Sequence, residues 1–485
     1  MTPMALIANG VWDTLSWMAF WGGLLLGLAL VPFVLFSRRS SQAKVAWILA
    51  LLGFPWIGAL FYGLLGRRRL QRQVLRLRGA AAASLADVER RHRGSGVLPA
   101  PRAPGQATAD LLAVADRSGS APPVPGNEFT LLPEGPGAFA AAREAIESAR
   151  HHVHLMTYIF KRDATGLAVL RHLEEVARRG VEVRLLYDGL GSLEAIRDGT
   201  AWLDPLREAG GKCAAFLPIG AFRAGLRVNL RNHRKLTIVD GDVAFTGGMN
   251  IADEYRTGAN WRDAACRIRG PAVPSLQRVF AQDWHTATNE VLGDEVYYHR
   301  VPEAGDVPVQ VVESGPDQED PLAEDLFFSA LVSARRTIDL VTPYFVPTEA
   351  LEHALRSAAL RGRRVRILLG ETVDHRVVRW ATDAYLPRMI QTGIEVWRRP
   401  ELVHGKVLVV DGAWATLGST NFDARSLRLN FELNVAMPHV RTAELILAWF
   451  ESELSHARRL TVEDLDAAWG TRLLRAGSYL LSPLL

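Results

Sequence analysis

The pattern His-x-Lys-x-x-x-x-Asp occurs twice in this chain, and this repeat restricts the fold more than any other feature. The two copies are His233, Lys235 and Asp240, and His404, Lys406 and Asp411. Six residues after each copy comes a turn of small residues that ends in an asparagine, Asn250 or Asn421. Two copies with matched spacing and matched continuations predict two related halves. We expect each half to contribute one histidine to a single site.

The repeat extends beyond the motifs. Arg179-Gly180 and Arg361-Gly362 occupy the same predicted turn, 182 positions apart, and the two histidines lie 171 positions apart. In each half a helical pattern is followed by a strand rich in β-branched residues, which is typical of α/β units with a mostly parallel sheet. Two such units that share a face would place both His-Lys pairs in one cleft.

Two long uncharged runs stand near the start of the chain, over 15–36 and 45–65. Each is long enough to cross the hydrocarbon core of a bilayer as a helix, and the short connection between them predicts a hairpin. Positive charges in that connection and over 66–78 favour a cytoplasmic location for the rest of the chain. The arginines over 67–78 are open to two interpretations, a binding site for acidic lipid headgroups or a topology signal.

Composition divides the remainder of the chain. The predicted regions are a membrane hairpin with a basic flank over 1–78, a flexible linker rich in Ala, Pro and Gly over 79–126, and two α/β halves over 127–305 and 306–485. A net charge of +4 favours an anionic partner, either nucleic acid or acidic lipid. Cys213 and Cys266 lack the spacing of a metal site or a disulfide framework.

The residue types of the repeat suit a phosphoryl group. A His and a Lys two positions apart in extended backbone project from one face. Two lysines can neutralise the negative charge of a phosphodiester transition state, and Asn250 and Asn421 can donate hydrogen bonds to the same oxygens. One imidazole can attack phosphorus while the other protonates the leaving alkoxide. This chemistry needs no metal, and the sequence has no carboxylate cluster of the kind that a two-metal phosphodiesterase requires.

The acids of the region have different expected roles. Asp240 and Asp411 belong to the motif, but they lie at the far ends of their strands, too distant for contact with the same phosphate. We interpret them as supporting acids. Asp263 and Glu432 are better candidates for orienting the histidines, because a carboxylate behind an imidazole fixes its tautomer and stabilises its cation.

The paired motifs resemble those of the phospholipase D superfamily, and the chain is similar in particular to bacterial cardiolipin synthases. The resemblance rests on the hairpin, YIFKRDATG, LLYDGLGS, GGMNIADEY followed by WRD, VTPYFVP, HGKVLVVDG and GSTNFDARSLRLNFELN. It implies two fused phospholipase D-like α/β/α halves that share one active-site cleft. It also implies His233 as the nucleophile, His404 as acid and base, catalytic motifs that include Asp240 and Asp411, and no cofactor.

The same resemblance implies the reaction and its location. One phosphatidylglycerol would transfer its phosphatidyl group through a phosphohistidine to a second, giving cardiolipin and glycerol, in the bacterial inner membrane. A phospholipase D-type hydrolase or a transphosphatidylase for other phospholipids would use the same residues. Two membrane runs and no basic-aromatic track argue against a nuclease and a nucleic-acid partner, and two intact motifs argue against a non-catalytic scaffold. The oligomeric state is left open.

Overall fold

A computed structural model of the chain describes residues 3–37, 41–63, 78–80, 83, 111–114, 121–197, 199–218, 230–258, 260–318 and 321–482. The chain divides into two units, which are described separately. One holds the N-terminal helices, and the other is the body that carries the paired motifs. Most of the predicted linker over 79–126, and most of the basic segment before it, lie outside the described residues.

The N-terminal unit contains α1 (Pro3–Leu35), α2 (Ser41–Gly53) and α3 (Pro55–Phe61). Within the described residues one segment, Trp17–Leu35, is long and apolar enough to cross a membrane, and Ala43–Gly53 is apolar but shorter. The second predicted run is broken before Pro55, because proline has no N–H to continue the helical ladder and clashes with the preceding turn. The hairpin of two continuous spanning helices is therefore confirmed only in part.

The three N-terminal helices pack closely at glycines. A Cβ at Gly27 would lie 2.4 Å from the carbonyl oxygen of Leu51. Small residues allow this kind of backbone approach between helices in a membrane. The indole nitrogen of Trp56 in α3 donates to the carbonyl of Ala19 in α1 at 2.9 Å, and many large apolar side chains of α1 remain exposed. These contacts bring the broken second segment back against the first.

The first half of the body runs from residue 124 to residue 288. Its strands are β1 (Val124–Leu132), β2 (His152–Thr157), β3 (Glu182–Asp188), β4 (Lys212–Phe216), β5 (Leu236–Val239), β6 (Val243–Gly247), β7 (Trp261–Arg262) and β8 (Ala265–Arg269). Its helices are α4 (Gly135–Glu147), α5 (Ala164–Arg178), α6 (Leu193–Ile196), α7 (Asp204–Glu208), α8 (Asp253–Thr257) and α9 (Val273–Thr288).

The second half repeats this order from residue 307. Its strands are β9 (Val307–Ser314), β10 (Thr337–Val341), β11 (Phe345–Val346), β12 (Arg364–Gly370), β13 (Glu395–Arg399), β14 (Leu402–Val403), β15 (Val407–Val410), β16 (Trp414–Gly418), β17 (Phe422–Asp423), β18 (Glu432–Met437) and β19 (Arg458–Arg459). Its helices are α10 (Leu322–Ser333), α11 (Glu349–Leu360), α12 (Arg376–Gln391), α13 (Ala424–Arg428), α14 (Val440–Leu454) and α15 (Trp469–Leu480).

One sheet connects the two halves, in the order β19-β13-β12-β10-β15-β16-β18-β9-β1-β8-β6-β5-β2-β3-β4. The halves meet where β9 pairs with β1, and outward from that pair the strands follow in equivalent order. The expectation of a mostly parallel sheet is wrong, because within this sheet, as far as the structure describes the chain, β2–β3, β3–β4, β10–β12 and β12–β13 are parallel and the other pairs are antiparallel. Tight turns that begin at Asp240 and Asp411, both with positive φ, join neighbouring strands as antiparallel hairpins.

The hydrophobic core confirms that the halves form one body. One cluster of buried residues includes Leu276 and Phe280 of α9 together with Val435 of β18 and Ile446 of α14. Two further clusters cover the opposite face of the sheet, one in each half. Helices therefore lie on both faces of the sheet, and the predicted α/β class with two related halves is confirmed.

Candidate active site

Both motif histidines are held by backbone bonds to the other half. The amide of His233, before β5, donates to the carbonyl of Phe431 at 2.9 Å, and the amide of His404, before β15, donates to the carbonyl of Arg262 at 2.6 Å. The residues that follow those two carbonyls are Glu432 and Asp263. Each half therefore presents its histidine next to an acid supplied by the other half.

The ring of His233 is oriented by two groups. Its Nδ1 lies 3.0 Å from Oε2 of Glu432 and 3.1 Å from the carbonyl oxygen of Ser419. Because both are acceptors, Nδ1 carries the proton and Nε2 keeps the lone pair. The hydroxyl of Ser419 donates to the same Glu432 oxygen at 2.5 Å, and the ring of Tyr158 packs edge-on at a centroid distance of 5.0 Å. This tautomer leaves Nε2 available as a nucleophile.

His404 has an equivalent but simpler support. Its Nδ1 lies 2.7 Å from Oδ2 of Asp263, and the rings of Tyr255 and Trp261 pack against it, each at a centroid distance of 5.3 Å. The ammonium of Lys406 lies 3.0 Å from Nε2 of His404. Both sequence candidates for orienting acids, Asp263 and Glu432, are thus in contact with the histidines.

The two lysines are buried in the same site. Burial is the largest cause that lowers the pKa of Lys235, and the charge of Lys406 is the next. Burial also lowers the pKa of Lys406 to about 8, although Asp263 and Glu432 act to raise it. Charges in each half shift the pKa of the lysine in the other half, so the two motif pairs form one site. Two ammonium groups close together make that site attractive to an anion.

The protonation states follow from burial. Burial lowers the pKa of His233 to about 4, with Glu432 acting against it, and lowers that of His404 to about 4, where Lys406 adds to the effect and Asp263 opposes it. Both imidazoles are therefore neutral near pH 7 in the free protein. With both imidazoles neutral, a phosphodiester anion bound beside them favours the uptake of one proton by the site.

Asp240 and Asp411 lie away from the imidazoles. Asp240 accepts from the amides of Arg150, His151 and His152 at 2.7–2.9 Å, and Asp411 accepts from those of Arg335, Arg336 and Thr337 at 2.6–2.9 Å. Each carboxylate joins the hairpin turn after its motif strand to the start of the neighbouring strand, β2 or β10. These bonds fix the register of the strand that follows each histidine.

The two asparagines are engaged with protein groups. Asn250 accepts from the amide of Ile159 at 3.1 Å and donates to the hydroxyl of Tyr255 at 2.7 Å. Asn421 donates toward Asp423, whose pKa burial nevertheless raises to about 6, and its Oδ1 is buried without a partner in the described part of the chain. Their phosphate-binding role stays a prediction, and it requires each amide to exchange a protein partner for the phosphate.

Several contacts were not anticipated from the sequence. The largest is a buried network behind His233, in which Asp283 accepts from Asn232 at 2.9 Å and from Arg234 at 2.8 Å. Asp283 also pairs with Arg78, which packs over the ring of Phe431 at 4.6 Å. Arg78 is only 5% exposed, so the lipid-headgroup interpretation is wrong for this arginine. No sequence signal links Arg78 to Asp283, which are 205 positions apart.

Comparisons with known proteins agree with this geometry. The family described as cardiolipin synthase, PLD-like domain, matches residues 142–284 and 327–454. The chain belongs to this cardiolipin synthase family. A phospholipase D-nuclease N-terminal family matches residues 25–67. Cardiolipin synthases from Geobacillus thermodenitrificans and Geobacillus kaustophilus are 34% and 35% identical to the chain, and each alignment covers 96% of this chain and 95% of the relative.

A solved structure supports the fold. Phosphatidylserine synthase from Haemophilus influenzae superposes with a TM-score of 0.61 at 16% identity, over 78% of this chain and all of that one. The chain is thus a phosphatidyltransferase of the cardiolipin synthase family, with two phospholipase D-like halves. Its N-terminal apolar helix, together with these relatives, indicates association with a membrane.

Proposed function

We propose that this protein transfers a phosphatidyl group from one phosphatidylglycerol to another and releases glycerol. The observation that carries the proposal is the crossed pair of hydrogen bonds, His233 to Glu432 and His404 to Asp263, which joins two imidazoles and two lysines into one site. Such a pair can serve two half-reactions, one that forms a phosphohistidine and one that consumes it.

In the first half-reaction Nε2 of His233 attacks the phosphorus of the donor lipid. The bond from phosphorus to the glycerol oxygen breaks, and protonated His404 gives its proton to that oxygen. The incoming phosphate anion provides the charge that favours this proton on His404, with Asp263 stabilising the imidazolium. Lys235 and Lys406 neutralise the phosphoryl oxygens as charge develops. Glycerol leaves, and the phosphatidyl group remains on His233.

In the second half-reaction His404 is neutral and acts as the base. It removes the proton from the primary hydroxyl of a second phosphatidylglycerol, and the resulting oxygen attacks phosphorus. The bond from phosphorus to Nε2 of His233 breaks, which restores neutral His233 and protonated His404. The sum of the two steps is cardiolipin and glycerol from two molecules of phosphatidylglycerol, with no cofactor.

We further propose that both N-terminal apolar segments enter the bacterial inner membrane and that the catalytic body is cytoplasmic. The length of Trp17–Leu35 supports insertion of the first segment. The packing of α2 and α3 against α1 supports insertion of the second, and the positive charge over 66–78 supports the orientation. A membrane anchor keeps the site where lipid alcohols are concentrated, which favours transfer over hydrolysis.

The test is incubation of the purified full-length protein with phosphatidylglycerol vesicles. We expect cardiolipin and free glycerol in equal amounts. Denaturation during turnover of lipid that carries labelled phosphate should trap an acid-labile, base-stable phosphohistidine on the tryptic peptide of His233. Phosphatidic acid without cardiolipin would establish hydrolysis instead, and label on the peptide of His404 would reverse the assigned roles.

A further inference from the structure

A cavity of about 110 Å³ lies between the sheet and helices α4 and α5 in the first half. Its lining is mostly apolar and includes Ala138, Ala142, Leu155, Thr237, Phe245 and Lys235. Arg143, whose side chain is 57% exposed, also lines it, so the cavity reaches the protein surface. Protein interiors are packed to crystal density, and an apolar space of this size next to a catalytic lysine therefore calls for an explanation.

Five residues of α4 line the cavity, and two of them are alanines. Ala138 and Ala142 line it together with Phe139, Arg143 and Ile146. Thr237, at the centre of β5, pairs with Leu155 and Phe245 of the neighbouring strands. Thr237 is nevertheless only partly buried, and it lines the cavity.

The second half fills the equivalent space. Ser148-Ala149-Arg150 at the end of α4 and Ser333-Ala334-Arg335 at the end of α10 match at an offset of 185 positions. The structure supports this match, because Arg150 and Arg335 donate to Asp240 and Asp411 in the same way. At that offset the counterpart of Ala142 is Phe327.

Phe327 is 4% exposed and stacks with Phe422 at a centroid distance of 6.1 Å. The space left beside it and Lys406 is about 10 Å³. The counterpart of Thr237 there is Leu408, which is 1% exposed. The two halves thus share one arrangement of helix and sheet. The half that carries His233 has a cavity between them, whereas the equivalent space in the half that carries His404 is largely filled.

We infer that the first-half cavity holds part of an acyl chain of the donor lipid whose phosphate is attacked by His233. This inference rests on the proposed function and adds a substrate subsite to it. Lys235 and Asn250 line the cavity and also belong to the catalytic site, so a lipid with its phosphate at Lys235 has an apolar space directly beside it. The cavity has room for a stretch of roughly four or five carbons, since an engineered apolar cavity of about 150 Å³ accepts benzene.

The test uses soluble phosphatidylglycerols with two acyl chains of four to eight carbons and measures exchange of their headgroup with labelled glycerol. This exchange reports on the donor half-reaction alone. In the unmodified full-length protein we expect kcat/KM to rise with chain length, by about threefold to fourfold for each methylene that enters the cavity. Ala142→Phe, which introduces the side chain of the second half, should flatten this dependence and lower kcat/KM for the eight-carbon donor by about tenfold or more.

Ala140→Phe is the matched control, because Ala140 is exposed on the same helix and does not line the cavity. It should keep the chain-length dependence of the unmodified protein. A phosphatidylglycerol with a photoreactive diazirine at the end of one chain should label peptides of α4 or β5 in the unmodified protein, and this readout needs no folded variant. If Ala142→Phe does not fold, Ala142→Leu provides a smaller side chain that fills part of the cavity.

The outcomes separate the two proposals. Absence of glycerol exchange in the unmodified protein would overturn the proposed function. An active Ala142→Phe protein with an unchanged melting temperature and an unchanged chain-length dependence would overturn the subsite alone. Diazirine labelling confined to peptides outside the cavity would do the same.

Discussion

The two halves of the body hold their histidines with acids of different length, and one turn residue compensates for the difference. In the second half of the sequence, Ser419 donates its hydroxyl to Glu432 behind His233. Its counterpart 171 positions earlier is Gly248, where a Cβ would lie only 2.1 Å from Oδ1 of Asp263. Asp263 therefore occupies the space of the missing side chain. A duplicated backbone can thus give two histidines different surroundings without any change of fold.

A second difference lies in the buried acids near the two histidines. Asp283, behind His233, pairs with Arg234 and with Arg78, which precedes the first half in sequence. Glu453 of α14 pairs instead with Arg262 of β7 and Arg399 of β13. The surroundings of His233 therefore depend on a residue that precedes the first half in sequence, whereas Glu453 pairs with arginines of the two halves.

The largest expected effect comes from the histidines themselves. His233→Ala and His404→Ala should each lower cardiolipin formation by on the order of 10⁴-fold or more, since residues that act as a unit fail together. A donor with a nitrophenol leaving group should separate them, because this group departs without a proton. With that donor, His404→Ala should retain a burst of nitrophenolate in rapid-mixing measurements, and His233→Ala should show none.

His456→Ala is a suitable control for these variants, since His456 is exposed and distant from the motifs in sequence. It should match the unmodified protein in both assays. A burst from His233→Ala that equals that of the unmodified protein would show that the nucleophile has been assigned to the wrong half.

The orienting acids should give the next largest effect. Glu432→Gln and Asp263→Asn preserve shape but remove the charge that fixes each tautomer, and we expect losses in kcat on the order of 10²- to 10³-fold. The nitrophenol donor should restore much of the first half-reaction in Asp263→Asn, because Asp263 supports the proton donor. It should not restore Glu432→Gln. Equal rescue of both variants in burst measurements would contradict the division of roles.

Loss of Arg78 should have a smaller effect, on stability first. Arg78→Ala removes one of two arginines from buried Asp283, and the remaining pair with Arg234 limits the expected loss to about 1–3 kcal/mol of unfolding free energy. Urea denaturation of the detergent-solubilised protein measures it. Arg441→Ala is the control, because Arg441 is 83% exposed in its pair with Asp306 and exposed pairs contribute about 0–1 kcal/mol. Equal losses would mean that Arg78 is not a structural anchor.

Much of the site was predictable from the sequence. The repeat identified both histidines and both lysines, and the two orienting acids were found because WRD and NFELN follow their motifs at comparable positions. The strand order was less accessible, since the antiparallel hairpins depend on the positive φ of Asp240 and Asp411. Without knowledge of these two turns, the alternation of helices and strands in the sequence is typical of ordinary parallel α/β units.

Other features depend on tertiary packing that has no local signal. In the sequence Arg78 is the last arginine of a basic run, and its pairing with Asp283 becomes evident only in the folded protein. The break before Pro55 follows a general rule, but membrane helices often tolerate proline, so the sequence predicted one continuous helix over 45–65 and the break was missed. The first-half cavity depends on which residues of α4 face the sheet. That Ala142 stands where the second half has Phe327 becomes informative only after the two helices are aligned in space.

The pH dependence offers the smallest but most selective test of the difference between the halves. Because the pKa of Lys406 is lowered to about 8, its ammonium is charged below that pH and neutral above it. We expect kcat/KM to fall as pH rises above about 8, by up to tenfold per pH unit. Asp263 is the strongest influence that raises this pKa, and Glu432 is the next. Asp263→Asn should therefore move the alkaline limb to lower pH by more than Glu432→Gln does, and an unmoved limb in both variants would show that Lys406 does not control it.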